Sequence, residues 1–331
     1  MKKILMIATG GTIASVQEKG GLTPKITSEE ILNYIPDVKK YCKIETIQLF
    51  NIDSTNLYYK HWLKIKDCIK ENYDNYDGFV VTHGTDTMAY TAAALSYLIQ
   101  KSPKPIVITG SQISIANENT DARDNLLNAF IYASHHKATG VHIVFDNKVI
   151  LGTRARKSRT KSYNAFSSVD YPEIAVFRDH FPIFYIDEAK SKEGPVFYNK
   201  MNEKVFVLKM IPGIKPEIFD YLKAYYDAII IESFGVGGVP SYGNDDFKKA
   251  IEEYVSEGKT VVVTTQVAHE GSDMEVYAVG QSIKQELSLI EAFDMTTEAI
   301  VTKLMWILGS TKKQKEIRSL FYTSVAKDIL Y

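Results

Sequence analysis

The chain repeatedly joins a short apolar, β-branched run to a glycine-containing turn and then to a segment with helical spacing. The clearest case is GFVV at residues 78–81, which breaks at HGTD, residues 83–86, before apolar side chains recur at positions 88, 92, 95 and 99. Such a run is typical of a strand buried in a parallel sheet, and the later spacing predicts one face of a helix. We therefore expect a strand, a tight turn and a helix from this part of the chain.

The same alternation extends along the first half of the chain. It predicts strands over residues 4–8, 44–50, 105–109 and 141–145, a hairpin return over 149–151, and helices that open near residue 28, pass through Trp62 and cover 124–134. Apolar strands that alternate with helices indicate a doubly wound, mostly parallel sheet, so we predict an α/β fold. The stretch 14–25 holds glycines and a proline without periodicity and predicts a mobile loop.

A charged segment at residues 185–204 separates this region from a second one. Three more apolar runs, at residues 205–210, 228–231 and 260–264, predict a second, smaller α/β domain. The full length of 331 residues suits one large domain or two medium ones, against a typical size of roughly 150 residues. We expect an N-terminal domain over residues 1–188, a linker over 189–204 and a C-terminal domain over 205–331.

Composition excludes several classes of partner. Lysine and arginine total 39 against 40 aspartates and glutamates, so no overall field favours nucleic acid or a membrane surface. The two cysteines, Cys42 and Cys68, make no disulfide framework and fit a reducing compartment. The apolar run at residues 4–8 stops short of the roughly 7–15 residues that a signal peptide needs. We therefore expect a cytoplasmic protein.

Polar residues follow four of the predicted strands. Turns favour these residue types, and Thr85 and Asp86 alone could simply cap the following helix. Ligands of doubly wound sheets bind outside the carboxyl ends of the strands, so four such sets favour a site there. The sets are Gly10-Gly11-Thr12, Asp53-Ser54-Thr55, Gly84-Thr85-Asp86 and Gly110-Ser111-Gln112.

The residue types at this edge restrict the chemistry. No metal-binding histidine pair, dinucleotide fingerprint, P-loop or serine nucleophile elbow is present in the sequence, and we expect a structural role for His83. A threonine hydroxyl can attack an acyl carbon if a base takes its proton. A base candidate lies in residues 154–161, where five of eight residues are basic. A lysine there would need burial or positive neighbours to act as a base, and a solvated loop is the alternative.

Two motifs then identify a family. The sequences TGGTIA at residues 9–14 and HGTDTM at 83–88 resemble the two signatures of bacterial L-asparaginases. The resemblance is strongest to type I, cytosolic asparaginases, and it extends through residues 76–80 and 104–112 to 296–304, nearly the whole chain. It implies hydrolysis of L-asparagine to L-aspartate and ammonia through a threonine-bound acyl-enzyme, with no cofactor and no metal.

The resemblance also implies roles for individual residues. Thr12 matches the nucleophile, and Thr85, Asp86 and Lys157 match the second catalytic group. The substrate-binding residues that it implies are Gly11, Asp53, Ser54, Thr55, Gly84 and Ser111, of which Asp53 to Thr55 hold the α-amino and α-carboxylate groups and Ser111 the side-chain amide. The family implies a homodimer or a homotetramer with a site between subunits, to which residues 233–235 contribute, and no nucleic acid or membrane partner.

One departure and two alternatives accompany this resemblance. The family's loop usually places a tyrosine near the nucleophile, where this chain has Leu22, which can neither donate nor accept a hydrogen bond. Residues 266–268 do not match the regulatory asparagine site of some cytosolic members. The first alternative is an archaeal-type amidotransferase subunit, which usually has an added N-terminal domain, whereas the first signature here begins at residue 9. The second is a non-enzymatic asparagine sensor.

Overall fold

The computed structural model describes residues 1–18, 21–240, 246–276, 281, 284 and 286–330, with only the backbone of residues 17, 18, 22 and 24. Two compact units divide the chain, Met1–Asn199 and Lys200–Tyr331. The division falls inside the segment 189–204 for which the sequence predicts a linker, and a short strand within that segment belongs to the first unit. The predicted domain boundaries stay a prediction.

The first unit contains one large sheet, helices that cover it and several small hairpins. Its elements are β1 (Lys2–Gly10), β2 (Ser15–Glu18), β3 (Gly21–Pro24), α1 (Ser28–Asn33), β4 (Cys42–Ile52), α2 (Tyr59–Asn72), β5 (Gly78–Thr82), α3 (Met88–Leu98), β6 (Ile99–Gln100), β7 (Ile106–Thr109), α4 (Ala122–Ser134), β8 (Val141–Phe145), β9 (Lys148–Leu151), β10 (Ala155–Lys157), β11 (Phe166–Ser168), β12 (Ala175–Arg178), β13 (Phe181–Phe184) and β14 (Val196–Phe197).

The large sheet has the strand order β13-β12-β9-β8-β7-β5-β1-β4. The five strands from β8 to β4 pair in parallel, and β9, β12 and β13 continue the sheet in antiparallel fashion. The chain places β4 on one side of β1 and later returns to place β5 on the other. The strand order therefore reverses between β1 and β5, which is where open α/β sheets bind their ligands.

The parallel strands are apolar because helices cover both of their faces. Ile4, Met6 and Ala8 lie in one core with residues of α1 and α4, and Leu5 and Ile7 point to the opposite face because side chains alternate along a strand. Burial of four successive side chains, Ile4 to Ile7, explains why the sequence of β1 shows no polar alternation.

The second unit has its own sheet and core. Its four strands pair in parallel in the order β15-β16-β17-β18. Both units are therefore α/β, with the larger mostly parallel sheet in the first, and the predicted fold class is confirmed. Within the described ranges, the elements of this unit are β15 (Val205–Lys209), α5 (Ile218–Tyr225), β16 (Ala228–Ser233), α6 (Asp246–Ser256), β17 (Thr260–Thr265), β18 (Ile290–Glu291), α7 (Thr297–Leu308) and α8 (Gln314–Tyr322).

One local prediction was wrong, and one alternative does not hold. The stretch 14–25, predicted as a mobile loop, contains β2 and β3, which pair in antiparallel fashion from Ser15 opposite Pro24 to Glu18 opposite Gly21. Backbone hydrogen bonds between short strands hold this hairpin, so no apolar pattern marks it in the sequence. Thr85 and Asp86 do not cap α3. They lie in a 3-10 turn, Thr85–Thr87, whose N-terminus has no side-chain cap.

Candidate active site

The ends of β1 and β5 meet through two glycines. In the parallel pairing of β1 with β5, Ala8 lies opposite Thr82, so the turns that follow the two strands lie side by side. Gly11 has φ 81°, and a Cβ atom built on it would lie 2.3 Å from the backbone nitrogen of Gly84. No side chain fits in that space, and the positive φ also favours glycine. The turn that carries Thr12 and the turn that carries Thr85 are therefore in direct backbone contact.

The turns that follow β4 and β7 also contact the turn that carries Thr85. A Cβ atom on Gly84 would lie 2.6 Å from Ser54 Oγ, and Thr87 Oγ1 donates to the backbone oxygen of Ser54 at 2.9 Å. A Cβ atom on Gly110 would lie 2.2 Å from the backbone oxygen of His83. The structure therefore brings together all four polar sets that the sequence places at the carboxyl edge of the sheet.

Thr85, Asp86 and Lys157 form a hydrogen-bonded group. Lys157 Nζ donates to Thr85 Oγ1 at 2.8 Å and to Asp86 Oδ1 at 2.5 Å. The Lys157 side chain is only 14% exposed, whereas that of Asp86 is 59% exposed. Lys157 is therefore held in the site and does not belong to a solvated basic loop, although its neighbours from Ser158 to Lys161 are exposed.

Local pairing explains how this lysine becomes buried. Lys157 is the last residue of β10, which pairs with β11 so that Lys157 lies opposite Phe166. Phe166 is buried, and its ring meets that of Phe145 edge to face at 5.0 Å between centroids. An aromatic anchor on the partner strand therefore fixes the strand that delivers the ammonium group.

Gln112 completes the surroundings of Thr85 and was missed as a site residue by sequence reasoning. Thr85 Oγ1 donates to Gln112 Oε1 at 3.0 Å, and Gln112 Nε2 donates to the backbone oxygen of Ser162 at 3.2 Å. The available signal was its place in the polar set that follows β7. Nothing in the sequence, however, indicates that its side chain reaches Thr85.

Asp53, Ser54 and Thr55 form a short turn with an exposed carboxylate. The Asp53 carboxylate accepts from the backbone nitrogen of Thr55 at 2.9 Å and from Thr55 Oγ1 at 3.0 Å. Asp53 and Thr55 are exposed, and Ser54 is buried against Gly84. The turn presents one fixed negative charge beside the 3-10 turn Thr85–Thr87, whose N-terminus has no side-chain cap, and this combination suits a ligand carrying both charges.

The two remaining predicted hydroxyl groups differ in their availability. The Ser111 side chain is fully buried, and its Oγ donates to the backbone oxygen of Ile113 at 2.5 Å, so this hydroxyl is engaged within its own loop. Thr12 is half-buried, and within the described parts of the chain its hydroxyl has no hydrogen-bond partner. Of these two hydroxyl groups, that of Thr12 is the one without a partner among the described residues.

His83 has the structural role predicted for it. It is fully buried, and burial lowers the pKa of its imidazole to about 4. The Trp62 indole donates to Thr91 Oγ1 at 2.9 Å, and Thr91 Oγ1 lies 2.8 Å from His83 Nε2. Since the Gly84 carbonyl oxygen only accepts, the Nδ1–H of neutral His83 donates to it at 2.6 Å. Nε2 is then an acceptor, and Thr91 Oγ1 donates to it. This chain fixes the carbonyl group that precedes Thr85.

In the second unit, the loop over residues 233–235 is held by its own sheet. The Ser233 side chain is fully buried, and its Oγ donates to the backbone oxygen of Thr264 at 2.6 Å. Among the described residues, no group of three or more His, Cys, Asp or Glu side chains could hold a metal ion. No helix within those same ranges is long and apolar enough to span a bilayer.

Known proteins match along nearly the whole chain. The family model described as "Asparaginase, N-terminal" matches residues 3–188, and "Glutaminase/Asparaginase C-terminal domain" matches residues 204–321. The L-asparaginase of Thermococcus kodakarensis is 36% identical over 329 residues, 99% of each chain. The solved structure titled the thermostable L-asparaginase from that organism superposes with a TM-score of 0.92 over 99% of both chains. A glutamyl-tRNA(Gln) amidotransferase subunit from Metallosphaera sedula is 33% identical over 98% of this chain and 76% of that protein.

Proposed function

The chain belongs to the asparaginase family, and from that membership we propose that it is a type I L-asparaginase, which hydrolyses L-asparagine to L-aspartate and ammonia. The observation that carries the proposal is the contact between Gly11 and Gly84. It places the turn that carries Thr12 beside the turn that carries Thr85, and Thr85 accepts a hydrogen bond from Lys157 on β10. Such a site offers the Thr12 hydroxyl as a nucleophile, next to a Thr85 hydroxyl that is hydrogen-bonded to Lys157.

Recognition of the substrate uses both of its charged groups. The exposed carboxylates of Asp53 and Asp86 face the solvent at the sheet edge and suit the α-ammonium group. The N–H groups at the start of the 3-10 turn Thr85–Thr87, which has no side-chain cap, suit the α-carboxylate. Gly11 and Gly84 let the two turns pack against each other, and we propose that their backbone atoms contact the substrate. The backbone around Ser111 binds the side-chain amide.

The reaction then proceeds in two steps on two different threonines. Thr12 Oγ1 attacks the amide carbon, its proton passes to the leaving nitrogen, and ammonia departs to leave an ester between Thr12 and the aspartyl group. A water molecule positioned at Thr85 attacks that ester, and Asp86 and Lys157 support the transfer of the water proton. The products are L-aspartate and the free Thr12 hydroxyl, so atoms and charges balance over one asparagine and one water.

The proposal extends to the state and location of the protein. The resemblance to cytosolic type I enzymes and two cysteines that are both buried and unpaired support a cytoplasmic homodimer or homotetramer. It has no cofactor, and its partner is the small substrate, with no nucleic acid and no membrane.

Ammonia release from the purified full chain tests this function. L-asparagine, L-glutamine and D-asparagine are compared, with L-aspartate measured as the second product. Because the site would have to close on a short amide, we expect kcat/KM for L-asparagine to exceed that for L-glutamine by at least about tenfold, or about 1.4 kcal/mol of barrier. Binding of asparagine by calorimetry without ammonia release would instead support a sensor.

One observation favours a second candidate, the ammonia-producing component of an amidotransferase. The chain is 33% identical to the Metallosphaera sedula amidotransferase protein over 98% of its own length. For that function glutamine would be the preferred amide, and its hydrolysis would rise when charged tRNA and a partner protein are added. Preference for asparagine without any response to those additions supports the asparaginase proposal.

A further inference from the structure

Gln112 lies in direct contact with Thr85 and has no role in the mechanism given above. Its amide is oriented without ambiguity, because the backbone oxygen of Ser162 accepts only and so faces Nε2, at 3.2 Å. The oxygen Oε1 therefore faces Thr85, at 3.0 Å from Oγ1. An amide oxygen cannot donate, so the Thr85 hydroxyl must donate its only hydrogen to Gln112.

The direction of this hydrogen bond decides what Lys157 can do. Since the Thr85 hydrogen points to Gln112, a lone pair of Thr85 Oγ1 faces Lys157 Nζ at 2.8 Å, and Lys157 is the donor. A neutral lysine that served as a base would have to receive this same hydrogen. Gln112 and Lys157 therefore compete for one proton, and Gln112 holds it in the resting arrangement.

We propose that Gln112 is a positioning residue of the Thr85–Lys157 pair, whose amide oxygen keeps the pair at rest with Lys157 as an ammonium group. The inference builds on the proposed asparaginase function. In this arrangement the second lone pair of Thr85 Oγ1 is open to receive a proton from the attacking water. The Thr85 hydrogen turns from Gln112 to Lys157 only after Lys157 has lost a proton to solvent. As water attacks the ester, its proton passes to Thr85 Oγ1, the Thr85 hydrogen passes to Lys157, and the departing Thr12 oxygen takes up a proton from solvent, so Lys157 ends the turnover as an ammonium group again.

The backbone of Gln112 is fixed well enough for this role. Its N–H donates to both carboxylate oxygens of Asp121, at 3.1 and 2.9 Å, and Asp121 also accepts from the backbone nitrogen of Ile113. The Asp121 carboxylate is buried, and burial is the main cause that raises its pKa. A side chain that starts from a pinned backbone and ends on Ser162 has little freedom to leave Thr85.

Other charged groups near Lys157 also contribute to the pH dependence of the reaction. Asp86 contacts Lys157 Nζ directly, and Asp121 acts through the backbone of Gln112. Arg156 precedes Lys157 on β10, and Arg159 follows it with its guanidinium on the backbone oxygen of Asn164. Substitutions at position 112 leave all four groups in place, so a shift in the pH profile reports on the change made at position 112.

Two substitutions at this position give opposite expectations. Gln112→Glu and Gln112→Met both lose the hydrogen bond to Ser162, but glutamate adds a charged acceptor beside Thr85, whereas methionine removes the acceptor. The rising limb of kcat against pH should move up by about one unit in Gln112→Glu, because a nearby carboxylate favours the charged lysine. It should move to lower pH in Gln112→Met. At the optimum we expect kcat of Gln112→Met to fall about tenfold, the loss of one hydrogen bond, with KM nearly unchanged.

Tyr163→Phe is the matched control. The Tyr163 hydroxyl donates to the backbone oxygen of Asn119 at 2.7 Å, so it ties the same two loops together without touching Thr85. It should leave the midpoint of the pH profile in place. If both Gln112 variants move the limb in the same direction, or neither moves it, or the control moves it equally, the positioning role is wrong and Gln112 only holds the loop.

A second measurement separates this inference from the proposed function. An amine-reactive anhydride labels lysine only in its neutral form, so labelling of Lys157 at each pH, quantified by peptide mass spectrometry, needs no turnover. The half-labelling pH should rise in Gln112→Glu and fall in Gln112→Met. If the wild-type chain releases no ammonia from any amide but these shifts occur, the function is wrong and the positioning role holds. If ammonia is released and the shifts are absent, the positioning role is overturned.

Discussion

The turns that carry Thr12 and Thr85 touch through their glycines, yet their hydroxyl groups are in opposite situations. Thr85 is buried and has a donor in Lys157 and an acceptor in Gln112. Thr12 is half-buried, and its hydroxyl has no partner within the ranges that the structure describes. A hydroxyl group held on both sides is suited to pass protons, whereas an unheld one can swing to meet a substrate. We therefore propose that Thr12 attacks the amide and that Thr85 activates the water.

The largest effect should come from deleting each hydroxyl in turn. Valine keeps the shape of threonine but lacks the oxygen. We expect Thr12→Val to lose about four orders of magnitude or more in kcat, as for other nucleophiles, with aspartate still bound through Asp53 and Asp86. Thr85→Val should also turn over poorly, but because acylation survives it should accumulate an acyl-enzyme on Thr12.

Intact-protein mass spectrometry after mixing with L-asparagine checks this division. Thr12→Val should carry no adduct, and the adduct on Thr85→Val should map to the peptide that contains Thr12. An adduct on Thr12→Val, or one mapped to Thr85 in the wild type, would reverse the assignment. If both variants lose ammonia release and neither carries an adduct, the assignment of the nucleophile to Thr12 is not supported.

The next largest effect is expected for Lys157, because it donates the hydrogen bond that holds the Thr85 hydroxyl. Lys157→Met keeps the aliphatic stem and removes the donor to Thr85. We expect kcat to fall by roughly two to four orders of magnitude, the range for removing a general base. Lys161→Met is the matched control, because Lys161 is an exposed lysine in the same basic segment. Equal activity of the two variants would mean that Lys157 does not act in the reaction.

The comparison also shows what the sequence could and could not predict. Strand limits follow from apolar runs, and Val141–Phe145 is found with the predicted bounds because that strand is buried along its whole length. The partners of Thr85 could not be predicted, because Lys157 lies 72 residues along the chain and its burial depends on pairing with Phe166. Thr85 and Asp86 have typical capping side chains, so local propensity predicted a cap where long-range contacts prevail.

A smaller effect concerns the support beneath the Thr85 turn. His83 has a pKa of about 4, below its unfolded value, so its neutral form stabilises the fold above about pH 6.5 and that stability is lost as the pH falls towards 4. The shift is worth about 3 kcal/mol of unfolding free energy. Urea unfolding at several pH values should show this decrease, and His83→Gln, which does not titrate, should show a shallower one. Parallel pH dependences for the two proteins would mean that His83 is not the titrating group.

The smallest effect is expected at Leu22, which occupies the position where the family usually has a tyrosine near Thr12. The structure gives the backbone of Leu22 opposite Gln17 in the hairpin, and its side chain lies outside the described part of the chain. If the unheld Thr12 hydroxyl gives its proton directly to the leaving nitrogen, it needs no neighbouring phenol. Leu22→Tyr should then change single-turnover acylation by less than about threefold, or 0.7 kcal/mol of barrier. Leu22→Phe controls for ring size alone. A rise in the acylation rate that Leu22→Phe does not share would show that the hydroxyl is the missing element. Thr12 would then resemble Thr85 in needing a partner, and the contrast between the two turns would disappear.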